Sequence, residues 1–179
     1  MRPLPQPTDE RVSIQPMTLA HPPILETKQL RWPDEAACAI FAARLAASLA
    51  AWPALRNAFI ELDGPIGAGK TTFVRHLLRA LGITGRIKSP TYAVIEPYQI
   101  GDLEISHFDF YRFSDPREWE DAGFRDIFGR PGLKLAEWPE LAAAVLPPAD
   151  LRLSIEVAAD ESRAVIATAF TPTGRALLE

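Results

Sequence analysis

The sequence predicts an α/β domain of three layers, a mixed β-sheet between helices with a C-terminal β-hairpin, and three observations predict it. The run Gly64-Pro65-Ile66-Gly67-Ala68-Gly69-Lys70-Thr71 fits the pattern G-x-x-x-x-G-K-[ST] and sits between a strand-like run, Ala58 to Asp63, and a helix-like one. In the latter, Phe73, Val74, Leu77, Leu78 and Leu81 recur at helical spacing until Gly82. Further short runs of strand and helix character then alternate along the chain. Near its end Leu151, Leu153, Ile155 and Val157 alternate with Arg152, Ser154 and Glu156, and a second run from Ala164 to Phe170 follows the polar Asp160-Glu161-Ser162-Arg163. That alternation is a half-buried hairpin at the edge or end of the sheet.

The elements follow in chain order. Residues 1–23 hold prolines at 3, 5, 7, 16, 22 and 23 and no apolar periodicity, so they read as a disordered or loosely docked extension. The folded domain is expected over residues 24–170, with 171–179 as a C-terminal tail. Ile24 to Leu30 reads as a strand; Trp32-Pro33-Asp34-Glu35 opens a helix whose apolar stripe is Ile40, Phe41, Leu45 and Leu49 and which ends near Trp52-Pro53. After the loop and its helix, a strand is expected from Tyr92 to Tyr98. Gly101-Asp102 turns it back into Leu103 to Phe110. Asp115-Pro116-Arg117-Glu118 has the form of a helix start, ending at Gly123, with a further turn from Phe124 to Phe128. Leu133 to Trp138 is a buried strand stopped by Pro139, and Leu141 to Leu146 a helical turn stopped by Pro147-Pro148.

With 179 residues, 47% of them hydrophobic, the chain can bury one substantial core. Its 19 basic against 23 acidic residues give a formal charge of −4, which argues against broad electrostatic binding of nucleic acid. A single cysteine, Cys38, leaves no internal disulfide and no zinc cluster, and its alanine-rich surroundings mark it as core filler. No run of about 18 apolar residues is present, so no membrane association is expected and the location expected is cytoplasmic.

The chemistry points to phosphate. Glycines in the 64–71 run let successive N–H groups approach phosphate oxygens, Lys70 reaches toward the β and γ phosphates, and Thr71 offers a hydroxyl to Mg²⁺. A phosphate-binding loop (P-loop) does not hydrolyse by itself: acids must hold the metal and orient the attacking oxygen. Two acids end apolar strands, Asp109 after Leu103 to Phe108 and Glu137 after Leu133 to Ala136, each either a site acid or a surface carboxylate. Ser89-Pro90-Thr91-Tyr92 reads equally as a switch loop presenting Thr91 to metal or γ-phosphate and as an ordinary turn. His107, near Asp109, reads as a supporting partner or as packing, and His76 as a solvated residue of the loop's helix.

Four motifs in this order, Gly64 to Thr72, Lys88-Ser89-Pro90-Thr91-Tyr92, His107-Phe108-Asp109-Phe110-Tyr111-Arg112 and Glu137-Trp138-Pro139, resemble the bacterial TsaE (YjeE) family over roughly residues 24–170. The resemblance implies a P-loop NTPase domain that binds ATP and Mg²⁺ and hydrolyses slowly by itself. It implies work beside a threonylcarbamoyl transferase complex, with partners of the TsaD and TsaB type, and contact with tRNA only through that complex. It implies nucleotide contacts from Gly64, Gly67, Ala68, Gly69, Lys70, Thr71 and Thr72, and catalytic roles for Glu137, Asp109 and Thr91. Thr71, Asp109 and Glu137 would serve the metal, and the nucleobase would lie near Asp34, Glu35 and Arg163. Pro65 stands where the family often has an acid, and the proline-rich extension has no counterpart in the family's minimal form. Rival readings are a small-molecule kinase, a GTPase switch and a nucleotide-stabilised adaptor; no Arg-rich lid segment and no Asn-Lys-x-Asp supports the first two.

Overall fold

The computed structural model describes residues 22–179, so most of the 1–23 extension lies outside the described residues. The elements run β1 (Glu26–Trp32), α1 (Glu35–Ala51), β2 (Phe59–Asp63), α2 (Lys70–Ala80), β3 (Ile95–Ile100), β4 (Leu103–Asp109), α3 (Pro116–Asp121), α4 (Phe124–Gly129), β5 (Leu133–Glu137), β6 (Leu151–Val157), β7 (Arg163–Ala169) and α5 (Pro172–Leu178). One seven-stranded sheet has the order β1-β7-β6-β2-β5-β4-β3. Its centre is parallel, with β2 between β6 and β5 and β4 beyond β5, whereas β3/β4, β6/β7 and β1/β7 are antiparallel. This is the mixed α/β sheet the sequence predicts.

Burial follows from that placement. A central parallel strand is covered on both faces, so β2 is apolar at Phe59, Ile60 and Leu62 without strict alternation. Ile60 and Leu62 join Leu45, Leu49, Phe73, Val74, Leu77 and Leu177 in a core beneath α1, α2 and α5. Phe59 joins Phe108, Phe110, Trp119 and Phe124 in an aromatic core on the side of α3 and α4. Helices on both faces give the three layers.

Several boundaries differ from the sequence reading. Ile40 is 58% exposed, whereas Leu45 and Leu49 lie in the buried stripe of α1 with Cys38, Ala42 and Ala46, and Phe41 packs half-buried against that core. Asp34 caps the helix by accepting from Ala37 N at 2.8 Å. The strand expected from Tyr92 starts at Ile95: Val94 N donates to Pro90 O, and Val94 adopts φ 65°, so residues 90–94 coil. The β6–β7 hairpin is not at the sheet's edge. β1 pairs along all of β7, from Glu26↔Ala169 to Trp32↔Arg163, and is itself the edge strand.

The expected tail at 171–179 is instead a docked helix. Thr171 caps α5 by accepting from Gly174 N at 3.1 Å, with Pro172 at its first position, where a missing N–H costs nothing. A Cβ on Gly174 would stand 1.8 Å from Asp150 O, so only glycine lets α5 approach the start of β6 this closely. Asp150 anchors the junction: its carboxylate accepts from Phe59 N at 2.8 Å and from the Thr171 hydroxyl.

Leu177 is buried against the core, so Leu177→Ala should cost roughly 2–4 kcal/mol. The expected fall in Tm is about 5–12 °C for a domain of this size, read by circular dichroism. A change below about 2 °C would mean that α5 is not part of the core.

Candidate functional site

Between β2 and α2 the chain turns through the glycine-rich loop. Gly64 has φ 139°, and a Cβ there would stand 2.1 Å from Ile155 O of β6, so the loop begins pressed against a neighbouring strand. Gly69, at φ 108°, occupies the cap position of α2 in the left-handed region. The first backbone bond of the helix runs from Phe73 N to Gly69 O at 2.9 Å, so the amides of Lys70, Thr71 and Thr72 precede it and mark the positive end of the helix dipole. Arg163 of β7 reaches across to this loop, its Nε donating to Ala68 O at 3.1 Å and its Nη2 to Gly67 O at 3.3 Å. Those carbonyls are thereby held toward β7.

Lys70 is buried. Its Nζ donates to Gly64 O and to Pro65 O at 3.0 Å and stands 3.7 Å from the centroid of the Trp138 ring. Trp138 reaches that place because its backbone, directly after β5, takes φ 58°. Burial pushes the Lys70 ammonium below its usual pKa range, while Glu137, foremost among nearby carboxylates, opposes the shift.

The two strand-end acids meet through register. Asp109 is the β4 partner of Glu137, and Glu137 is the β5 partner of Leu62, so both carboxylates stand at the carboxyl ends of parallel strands beside the loop. Both residues are buried. Thr71 Oγ1 lies 2.9 Å from each Glu137 oxygen, and His107 Nε2 lies 2.9 Å from Oε1. Asp109 Oδ2 accepts from the Ser89 hydroxyl and from Thr91 Oγ1 at 2.8 Å, and its Oδ1 from Tyr111 N at 2.9 Å. The 89–92 segment is thereby fastened to Asp109 by two hydroxyls.

These groups line a cleft of about 370 Å³ that holds Gly67, Gly69, Lys70, Thr71, Thr72, Thr91, Asp109 and Glu137 together with Ser89 and Trp138. Gly69 and Thr72 are shared with a second cavity of about 240 Å³, lined also by Trp32, Asp34, Glu35, Cys38, Ala68 and Arg163. Gly64 lines neither cavity and shapes the turn. Of the oxygens in the larger cleft, the Thr71 hydroxyl and the carboxylates of Asp109 and Glu137 suit a hard divalent cation. Thr71 donates its one proton to Glu137 and retains lone pairs, so hydroxyl and carboxylate together fit Mg²⁺ provided phosphate and water oxygens complete its octahedron.

Sequence reasoning missed two site residues. Trp138 was read only as the end of a strand and a motif residue, and its ring against Lys70 depends on the positive φ. Trp32 was read as a helix opener, yet it lines the smaller cavity with its ring stacked 6.0 Å from Phe73. His76, read as solvated, bonds Glu35 Oε1 at 2.9 Å and so links α2 to α1.

Comparison with known proteins gives one family. Residues 32–165 match the family described as threonylcarbamoyl adenosine biosynthesis protein TsaE. A Haemophilus influenzae protein named tRNA threonylcarbamoyladenosine biosynthesis protein TsaE is 37% identical over 146 residues, covering 82% of this chain and 92% of that protein. The Bacillus subtilis protein of the same name is also 37% identical over 146 residues, covering 79% and 87%. The crystal structure of Bacillus subtilis YdiB superposes with a TM-score of 0.67 at 28% identity, covering 86% of this chain and 92% of that one.

Cys38 in the smaller cavity gives a direct check on its closure. Burial pushes its thiol up to about 12, which leaves a thiolate fraction on the order of 10⁻⁴ at pH 8. Alkylation by iodoacetamide at pH 8 should therefore run at least about a hundredfold slower than for a free cysteine, by mass spectrometry of the intact protein. Labelling at the free-thiol rate would mean that the wall between α1 and the loop opens readily.

Proposed function

This chain belongs to the TsaE family, and we propose that within tRNA threonylcarbamoyladenosine biosynthesis it is a Mg²⁺-dependent ATPase of the cytoplasm. Its ATP turnover supports repeated cycles of a threonylcarbamoyl transferase complex containing TsaD- and TsaB-type proteins. The observation that carries this reading is the convergence of Lys70 and Thr71 from the loop with Asp109 and Glu137 from β4 and β5 on one cleft.

The adenine enters the smaller cavity between Trp32, the α1 start at Asp34 and Glu35, and Arg163, and the phosphates follow Gly69 and Thr72 into the larger cleft. The loop amides and the α2 dipole hold the phosphates. Lys70 exchanges its two backbone carbonyls for the β and γ phosphates, a stronger, charge-assisted contact. Thr71, with Asp109 and Glu137, would hold Mg²⁺, which would supply positive charge against the phosphate oxygens. Glu137 accepts a hydrogen bond from the attacking water and aims it at the γ-phosphorus. Thr91, fastened to Asp109 in the free protein, couples the 89–92 loop to the contents of the cleft. With a formal charge of −4 the chain does not grip tRNA itself; the partner complex holds it. That complex also completes the hydrolytic site, so the isolated protein turns over slowly.

Lys70→Ala should fold and lose ATP affinity by roughly 10- to 100-fold in calorimetry, the value of one charge-assisted contact. Wild-type affinity together with wild-type turnover would contradict the P-loop assignment. Because burial lowers the free Lys70 pKa and phosphate favours its charged form, ATP affinity should also weaken as pH rises through the alkaline range where free Lys70 deprotonates.

Glu137→Ala and Asp109→Ala should lower kcat with partners present by about tenfold to a thousandfold and change ATP affinity far less, since their work lies in the transition state. Turnover like wild type in both variants would leave the carboxylates a purely structural role.

A further inference from the structure

His107 lies on β4 two residues before Asp109 and is fully buried. Its Nε2 stands 2.9 Å from Glu137 Oε1, and its Nδ1 is a buried side-chain atom with no hydrogen-bond partner among the described residues. Carboxylate oxygens accept, so the ring donates through Nε2–H. An unpartnered buried nitrogen carries a desolvation penalty that an apolar residue of similar size would avoid. The polar return on placing a histidine here is thus its bond to Glu137.

Among the described residues Glu137 has one other side-chain donor, Thr71, whose hydroxyl is 2.9 Å from both carboxylate oxygens. That hydroxyl has a single proton and is the group the proposed function assigns to the metal, so its direction depends on what the cleft holds. His107 reaches Glu137 from the neighbouring strand β4 and lines neither cavity. We infer that His107 is a positioning residue whose Nε2–H holds Glu137 Oε1 from outside the cleft, so that the carboxylate stays aimed whatever its partners within the cleft are engaged with. The inference rests on the proposed function, because it needs Glu137 to act in ATP turnover.

The test uses the full chain with its partner complex and compares His107→Leu, which removes the donor, with His107→Gln, whose amide nitrogen reaches toward the place of Nε2. His107→Leu should lower kcat for ATP about 10- to 100-fold while leaving KM within about threefold, and His107→Gln should recover kcat to within about fivefold of wild type. A readout independent of turnover is the long-range ¹⁵N–¹H correlation spectrum of the ring. It should show a protonated Nε2 and a bare Nδ1 with and without nucleotide, and the Nε2 signal should move in Glu137→Ala. Should His107→Leu not fold, by thermal melting, His107→Asn replaces it, because its amide stops short of Glu137 and the same loss is expected. Wild-type kcat in the Leu or Asn variant alongside an impaired Glu137→Ala would overturn the inference, as would a bare Nε2. An unimpaired Glu137→Ala would instead overturn the proposed function, and this role with it.

Discussion

The register of three adjacent parallel strands is the constraint on which the site depends. Leu62 of β2 is level with Glu137 of β5, and Glu137 with Asp109 of β4. Ends that are level deliver the glycine loop and both acids to one rim of the sheet. A shift of one residue in β5 would turn Glu137 to the face of α3 and α4 and leave Thr71 without its carboxylate. The register is in turn held by burial: all five residues of β5 are buried, and each face of β2 packs into a different core. Hydrophobic packing on two sides thus fixes the position of polar groups at the edge.

The strands on the other side of β2, β6 then β7 and β1, serve the same rim. Gly64 is pressed onto β6, and Arg163 at the start of β7 clasps the loop carbonyls of Gly67 and Ala68. β1 then covers β7 and carries Trp32 to the smaller cavity, where α1 begins at the Asp34 cap. The hairpin and the first strand therefore build the wall of the cavity assigned to the nucleobase, while the parallel half of the sheet builds the cleft assigned to the phosphates. Their junction is Gly69 and Thr72.

What could be read in the sequence was local. The loop, its flanking strand and helix, the α1 start, and the acids at the ends of β4 and β5 all show within a few residues of chain, as spacing or as a cap. What escaped depends on distant partners. Whether residues 171–179 form a tail or a helix turns on Asp150 and on the room beside it that only Gly174 leaves. The place of the β6–β7 hairpin turns on β1, some 140 residues earlier, pairing with β7. Arg163 was reached through the family resemblance and not through any spacing, and its grip on the loop belongs to tertiary structure. Trp138 was legible as a motif residue but its ring position follows from a backbone angle that no propensity announces. His107 was left between two readings, and its 2.9 Å contact with Glu137, a residue of the neighbouring strand, could not be read from spacing.

In the proposed function a small acidic protein delivers nucleotide energy to a larger assembly that handles the RNA. The most direct measurement is the number of threonylcarbamoyladenosine groups formed per transferase complex, by mass spectrometry of tRNA nucleosides, in a reconstituted reaction supplied with the threonylcarbamoyl donor and ATP. The account predicts product well above one per complex with the wild-type protein and about one or fewer with Lys70→Ala or without this protein. Equal product in all three reactions would contradict it.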